Sequence, residues 1–410
     1  MDLPDHAKPS PVRLIGLDLD QSPPEGGAPG LAGRAWLEIR RSGQVVGVTE
    51  RELGPAGLSE DDIAELALEY RTVEVADLSA VPDEALPTIS VVIPTLYRRV
   101  DLLERAMRSV AACAYPSVEV IVVDNRRRDD APIPAFPGLD NVRIEVERFP
   151  GASAARNRGA AAARGEIVAF TDDDVEVDPR WLRALGVAFT LDTDLDAVGG
   201  MVRPAELETE AQLWFEEFFG GFTKAFVPRR WSVALADNSD PFFPYAAGHF
   251  GAGNNMAVRR ATLERVGGFD VRLGAGTLAR GAEDLKVFID VLLAGGTVAF
   301  VPSALVRHYH RRTPREFREQ VFGYGVGIAA LYCALVVEDP RHLGKILRRL
   351  PRGLKMFFFP STPRSLSETP GYPRTTPLVH ALGMACGPFA YVRSALAVAR
   401  ARRRATSSTV

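Results

Sequence analysis

Three apolar runs punctuate the middle of the chain, each closing on polar residues: TISVVIPT (88–95), SVEVIVVDN (117–125) and EIVAFTDDD (166–174). Continuous runs of this length, rich in β-branched residues, predict buried strands. Between them lie VDLLERAMRSVAAC (100–113), with apolar positions three and four apart, and the alanine-rich SAARNRGAAAA (153–163). Both predict helices. The alternation predicts an α/β fold, a mixed, mostly parallel sheet flanked by helices. Ligands of such sheets bind at the carboxyl ends of the strands. Pro94-Thr95, Asp124-Asn125 and Asp172-Asp173-Asp174 are therefore predicted to converge on one edge.

The flanks differ. Residues 1–87 hold short strand-like pieces (VRLIGLDLD, RAWLEIRRSGQVVGVTE) and a serine-capped helical piece, SEDDIAELALEY, then the linker SAVPDEALP. They predict a small N-terminal α/β accessory unit before a central domain at 88–312. Residues 313–410 predict a helical C-terminal extension with a basic tail, the last residues disordered. Its segment RHLGKILRRLPRGLKMFFFP sets Leu343, Ile346 and Leu347 on one face and basic residues on the other. That pattern suits an anionic membrane surface or a helix packed on the main domain, with Pro351 and Gly353 weakening a continuous interfacial helix.

Composition narrows the classes. A net charge of −3 over 410 residues gives no polyanion-binding signature, so no nucleic-acid partner is expected. Three scattered cysteines form no disulfide framework, which fits a reducing cytoplasm. The first residues lack a charged-then-apolar signal pattern. The longest clean apolar run, VGIAALYCALVV (326–337), is shorter than the roughly 20 residues of a membrane span, and 377–399 is broken by His380, Pro388 and Arg393. The expectation is no transmembrane helix, with association at the inner face of a membrane left open.

The candidate chemistry begins with AFTDDDVEVDP. Carboxylates crowded at a strand end are natural ligands for Mg²⁺ or Mn²⁺, and Asp172 and Asp174, one residue apart on a strand, would point the same way. An acidic strand-to-helix turn explains them equally well. Asp124, after four apolar residues, can accept a hydrogen bond from a nucleobase N–H. PGASAARNRG (150–159) opens a helix on a glycine turn with Arg156 near its start, suited to an anionic nucleotide. In GAGNNMAVRR, Asn254 and Asn255 offer donors and acceptors to sugar hydroxyls, or belong to a turn before a helix. His308 and His310 share one face in ALVRHYHRR, and the arginines after them are diphosphate contacts or solvated charges. The aromatic segment 204–250 reads as core packing first, as a sugar or lipid-carrier surface second. The D-x-D at Asp18 and Asp20 lacks the partner motifs of a phosphatase and is assigned to strand alternation.

In order along the chain stand SVVIPTLYRR, VEVIVVDN, PGASAARNRG, AFTDDDVEV, GAGNNMAVRR, VGGFD and GAEDLKVFIDVLLAGG. The series resembles the nucleotide-diphospho-sugar glycosyltransferases of family 2, with the GT-A type fold, over about residues 88–312. The resemblance implies that Pro94 and Thr95 line the nucleotide base, that Asp124 is the base-binding acid and that Arg156 is the arginine of the helix start. It implies that Asp172 and Asp174 are the outer positions of a D-x-D motif around Asp173, with Asp174 the direct ligand of a divalent cation. It implies an acid pair at Glu283 and Asp284, with Asp284 the general base, and His308 near the cation, with His310 second. Because Asp284 opens a predicted helix, the macrodipole is expected to weaken it as a base and Glu283 stands as alternative.

The function so implied is a metal-dependent, inverting glycosyltransferase. It would move a sugar from a nucleoside-diphosphate sugar to a saccharide or lipid-linked acceptor hydroxyl, in polysaccharide or glycolipid synthesis. The alternatives are a catalytically silent sugar-nucleotide-binding scaffold and a nucleotidyltransferase, which pyrophosphate release would reveal.

Overall fold

The computed structural model describes residues 11–20, 33–55, 57–128, 132–139, 142–219, 226–234, 242–358 and 371–407. Parts of the aromatic segment (220–225 and 235–241) and the last three residues of the tail lie outside that set.

The N-terminal residues form a three-stranded sheet: β1 (Arg13–Asp18) runs parallel to β2 (Gly33–Arg41), and β2 pairs antiparallel with β3 (Gln44–Leu53). Ser42 and Gly43 turn the hairpin, both left-handed at φ 47° and 70°, as a two-residue turn matching strand twist requires. Helix α1 (Glu60–Glu69) starts at a reciprocal cap between Ser59 and Asp62, and its Leu66 closes a small core with Leu37 and Ile39. Asp20 accepts from the Ser42 N–H, and its own N–H donates to Asp18 Oδ1 at 3.1 Å. The early D-x-D is thus turn chemistry.

The central region runs β4 (Ile89–Thr95), α2 (Val100–Ala111), β5 (Val118–Asp124), β6 (Val142–Val146), α3 (Ala152–Ala162), β7 (Ile167–Thr171), β8 (Val175–Val177) and α4 (Trp181–Leu191). It continues through β9 (Leu195–Pro204), α5 (Glu210–Phe219), β10 (Arg229–Ser232), β11 (Asn255–Arg259), α6 (Arg260–Arg265), α7 (Glu283–Leu293) and β12 (Thr297–His308). The strand order is β10-β12-β9-β11-β7-β4-β5-β6, with β8 added against the end of β12.

The sheet is mixed. Strands β6, β5, β4 and β7 are mutually parallel, as are β9 and β12. Strand β11 lies antiparallel between β7 and β9, in the segment whose glycines suggested only a turn. This arrangement brings the carboxyl ends of β4, β5, β7, β9 and β12 and the amino end of β11 to one edge.

Both faces of the sheet are buried, so strand side chains alternate between two cores. Val92, Ile121, Val123 and Phe170 face α3 and α7, while Val91, Ile93, Val122 and Ala169 face α2 and α4. Fully burying one such side chain contributes about 1.5–3 kcal/mol.

Three helices follow: α8 (Pro314–Glu338), α9 (Arg341–Phe358) and α10 (Thr376–Ser407). Helix α8 starts on the capping box of Thr313 and Glu316 with Pro314 at its first position. It packs along α10, with Gly325 against His380 and Gly383, and Gly387 against Ala329. The expected breaks in these helices need correction. Helices α8 and, over Thr376–Arg403, α10 are both long and apolar enough to cross a membrane by length and composition. The apolar window of α8 is 50% buried in the protein, that of α10 only 28%. The breaks at Pro388 and Pro351 do not end α10 or α9, and the basic tail is helical to Ser407.

Candidate functional site

Asp124 ends β5 in register with Thr95 at the end of β4. Its carboxylate is fully buried and held by Arg126, whose N–H and Nε donate to Oδ1 at 3.0 Å and whose Nη2 donates to Oδ2 at 2.9 Å. Arg148 Nη1 stands 3.4 Å from Oδ2. Burial alone would raise the Asp124 pKa, but these bonds hold it below its ordinary value. The Arg126 guanidinium lies 4.8 Å over the Tyr97 ring, and Tyr97 adopts a left-handed φ of 52°. Pro94 is half-buried beside them.

Strand β7 stops at Thr171, so Asp172, Asp173 and Asp174 occupy a turn and not a strand. Their side chains accordingly diverge, which corrects the expectation that Asp172 and Asp174 point the same way. Asp172 accepts from Arg156 Nη2 at 2.7 Å. Asp173 accepts from Thr95 Oγ1 at 2.7 Å, and burial with the charge of Asp174 raises its pKa to about 6. Asp174, 4% exposed, receives Arg99 Nη2 on Oδ2 at 2.5 Å and faces His308 Nε2 with Oδ1 at 3.4 Å. Burial opposes ionisation of Asp174, yet His308 and Arg99 outweigh it and lower its pKa.

His308 ends β12 and is paired across the sheet with Val175 of β8, the residue after Asp174. Its Nδ1 lies 3.0 Å from Nδ1 of His310, whose Nε2 lies 2.7 Å from Glu216 Oε1 on α5. Among the described residues no three His, Cys, Asp or Glu side chains gather around one point that could hold an ion. Asp172 is paired with Arg156, whereas Asp174 and His308 face one another. Asp174 Oδ1 and His308 Nε2 remain a converging oxygen and nitrogen pair. Two protein donors suit a cation whose other ligands are phosphate oxygens and water.

Arg156 joins the site's two halves. Helix α3 packs closely on β4, because a Cβ at Gly159 would come within 2.3 Å of Val92. That approach seats Arg156, 3% exposed, between Asp172 and Glu283, to which Nη1 donates at 2.6 Å. Both acids of the pair open α7, after Ala282 in a left-handed turn. Asp284 Oδ2 accepts the Gly253 N–H at 2.6 Å. Burial raises the pKa of both Glu283 and Asp284, although Arg156 pulls each down. For Asp284 desolvation raises the pKa although the Leu285 and Gly253 N–H groups pull it down.

The asparagines divide. Asn255 is fully buried and structural: its Oδ1 accepts from Trp181 Nε1 at 2.8 Å, and its Nδ2 donates to the carbonyls of Met201 and Ala304, each at 2.8 Å. Its expected contact with sugar hydroxyls is corrected, since both amide hydrogens are spent holding β9, β11 and β12 together. Asn254, 5% exposed, keeps a buried Oδ1 without a protein partner at the same edge, as does Thr171 Oγ1. Arg158 pairs with Glu145, and Arg312 with Glu206 and Glu208, away from the acids.

Sequence reading missed Arg99, Tyr97, Arg126 and Glu216. The first three sit within four residues of a predicted strand end, in TLYRR and DNR, which is the signal they carried. Glu216 had none. Trp214 and Phe215 beside it pack with Phe317 and Val321, so core packing accounts for these aromatics.

Residues 90–266 match the family model described as Glycosyl transferase family 2. The chain is 28% identical over 190 residues to the glucosyl-dolichyl phosphate glucuronosyltransferase of Haloferax volcanii, covering 45% of this chain and 57% of that protein. It is 36% identical over 123 residues to glycosyltransferase AglE of the same organism, covering 28% and 40%. The chain thus spans about half the length of these curated relatives. The mannosyltransferase PcManGT from Pyrobaculum calidifontis, solved with GDP-Man and Mn²⁺, is similar at 20% identity and a TM-score of 0.42, over 83% of this chain and 81% of that one.

Proposed function

The chain belongs to glycosyltransferase family 2 through residues 90–266, and on that premise we propose that it transfers a sugar from a nucleoside-diphosphate sugar to an acceptor hydroxyl with inversion. The observation that carries this reading is one edge of one sheet holding two separate acid groups. Asp174 with His308 forms a cation-type pair, and Asp284 is a half-buried carboxylate of raised pKa, with Arg156 between Asp172 and Glu283.

Asp124, Arg126, Tyr97 and Thr95 form the nucleotide end. Asp124 accepts from the base, and the Tyr97 ring offers it an apolar face. Asp174 and His308 would hold Mn²⁺ or Mg²⁺, which when bound neutralises the departing diphosphate. Asp284 takes the proton of the acceptor hydroxyl. The acceptor oxygen forms its bond to the anomeric carbon as the bond from that carbon to the diphosphate oxygen breaks, the electron pair leaving with the diphosphate. Asn254 Oδ1, buried and unpartnered, is suited to accept from a sugar hydroxyl.

The relative named for glucosyl-dolichyl phosphate favours a lipid-linked acceptor. A second apolar face on α10 favours work at the inner face of a membrane, in glycolipid or polysaccharide synthesis. The test is calorimetry with UDP-, GDP- and dTDP-sugars, with and without Mn²⁺. One nucleotide should bind in a metal-dependent way that Asp174→Ala abolishes. Binding of none counts against the reading, and binding with no turnover for any acceptor points to a silent scaffold.

A further inference from the structure

The turn that opens α7 carries a cation that its acidic neighbours leave free. Arg280 stands three residues before Glu283, yet Glu283 is held by Arg156 and Asp284 accepts from the Gly253 N–H. Among the described residues no carboxylate pairs with Arg280, and its exposed guanidinium lies 5.3 Å over the Phe322 ring of α8. Its backbone is left-handed at φ 66°, a conformation that suits glycine and strains arginine. Arg318, also exposed and outside every ion pair among the described residues, stands one turn before Phe322, and residues four apart share a helix face. The two arginines therefore border one aromatic ring. Helix α8 brings that ring to the acids: a Cβ at Gly327 would come within 3.1 Å of the Gly281 carbonyl carbon, and Tyr324 is within electrostatic reach of Asp284 and Asp174. Helix α10 meets the same turn of α8, since a Cβ at Gly383 would lie 2.2 Å from the Phe322 carbonyl oxygen, and Leu382 beside it is exposed. Acids, unpaired arginines and an exposed apolar side chain thus gather about residues 318–327 of α8.

We infer that Arg280 and Arg318 bind a phosphate group carried by the acceptor, and that this acceptor is an amphiphile. Its hydroxyl faces Asp284, its phosphate rests on the two arginines and its hydrocarbon runs onto α10 from Leu382. A guanidinium matches phosphate through paired N–H donors, and an aromatic face holds the guanidinium plane in place. A phosphate ester supplies this chemistry on a lipid or on a soluble sugar, and the exposed Leu382 favours the lipid. The orientation toward Asp284 rests on the proposed transferase reading. The anion site does not.

The test is calorimetry on the full chain with farnesyl phosphate, farnesol and glucose 1-phosphate, comparing wild type, Arg280→Gly, Arg318→Gln and Leu382→Glu. Glycine suits the left-handed backbone at 280, so Arg280→Gly removes the cation without straining the turn. Farnesyl phosphate should bind wild type, and bind Arg280→Gly and Arg318→Gln about ten- to a hundredfold more weakly. Farnesol, which has no charge, should bind all of these alike. No binding of farnesyl phosphate to wild type, or equal affinity in wild type and Arg280→Gly, overturns the inference. A matching loss for farnesol marks a structural effect and overturns it too. Affinity for the UDP-, GDP- or dTDP-sugar that binds with Mn²⁺ should be the same in wild type and Arg280→Gly, and its loss would place Arg280 on the donor diphosphate instead. Leu382→Glu should weaken farnesyl phosphate and leave glucose 1-phosphate unchanged. Tight glucose 1-phosphate binding with no effect of Leu382→Glu supports the arginines and replaces the lipid by a soluble phosphate. Wild type that binds farnesyl phosphate through Arg280 but no nucleotide sugar supports the anion site and removes the transferase reading.

Discussion

The backbone N–H of Gly253 donates to Asp284 Oδ2 at 2.6 Å, and a Cβ at residue 253 would lie 2.8 Å from the Asp284 Cβ. Only glycine allows that approach, and it aims one carboxylate while Arg156 locks its neighbour Glu283. Asp284→Asn keeps an oxygen to accept from Gly253 but cannot take a proton. It should leave donor binding unchanged and lower kcat by about 10²- to 10⁴-fold. Calorimetry and turnover on one preparation check this, and near-normal turnover would remove Asp284 from the mechanism.

The pH profile should carry the mark of burial. Burial raises the Asp284 pKa above the ordinary aspartate value of about 3.9, and a base works only when ionised. Activity is therefore lost as pH falls through the raised value, so the acid limb of kcat lies above the range of an exposed aspartate. Arg156 pulls the Asp284 pKa down. Arg156→Gln should move the limb to higher pH. A limb that stays in place or moves down would show that another group governs it.

Glu38 connects the N-terminal sheet to the same edge. It is 1% exposed and accepts from Arg203 Nε at 3.2 Å and Arg307 Nη1 at 3.1 Å, Arg307 being the residue before His308. Burial opposes its ionisation, but the Arg307 and Arg203 bonds outweigh it and lower its pKa. Such a group stabilises the fold above its unfolded pKa, and the stabilisation is lost as pH falls through the folded value. Glu38→Gln should cost about 3–5 kcal/mol at pH 7 by stranding buried arginine charge. The difference should shrink as pH drops below about 4. Urea denaturation at the two pH values checks it, and a pH-independent difference would mean that Glu38 acts by packing alone.

Legibility from sequence followed the physics of each feature. The strands ending at Thr95, Asp124 and Thr171 were readable because both their faces are buried, which forces continuous apolar runs. Asp124 and the Asp172–Asp174 turn stood out because charge closes an apolar run, whereas Glu283 and Asp284 stood out only through the ordered series of motifs resembling family 2. Strand β11 was not readable, since its start is glycine- and asparagine-rich and its β-character comes from lying between β7 and β9. The divergence of Asp172 from Asp174 depends on where β7 ends, a boundary that no pattern fixes. Glu216 was invisible for a different reason: its partner is 94 residues distant, and pairing over such a separation leaves no local trace.

Helix α10 has two apolar faces, and only one is covered. Gly383, Gly387, Tyr391 and Val398 lie buried on one side, while Leu378, Leu382, Phe389, Val392 and Leu396 stand 51–75% exposed at spacings of four, seven, three and four. That stripe runs toward Arg400 and Arg402, and α9 leaves Leu343 and Leu347 exposed among basic residues. An apolar stripe beside arginines matches the boundary of an anionic bilayer, with hydrocarbon contact below and phosphate contact at the rim. The full chain should float with phosphatidylglycerol-containing vesicles and less with neutral ones. Leu382→Glu/Phe389→Glu should abolish flotation without changing nucleotide-sugar affinity, because neither residue is near the acids. High salt should weaken a surface-bound protein, whereas resistance to both salt and alkaline extraction would mean that α10 crosses the bilayer. Unchanged flotation of the double variant would assign the stripe to contact with another protein surface.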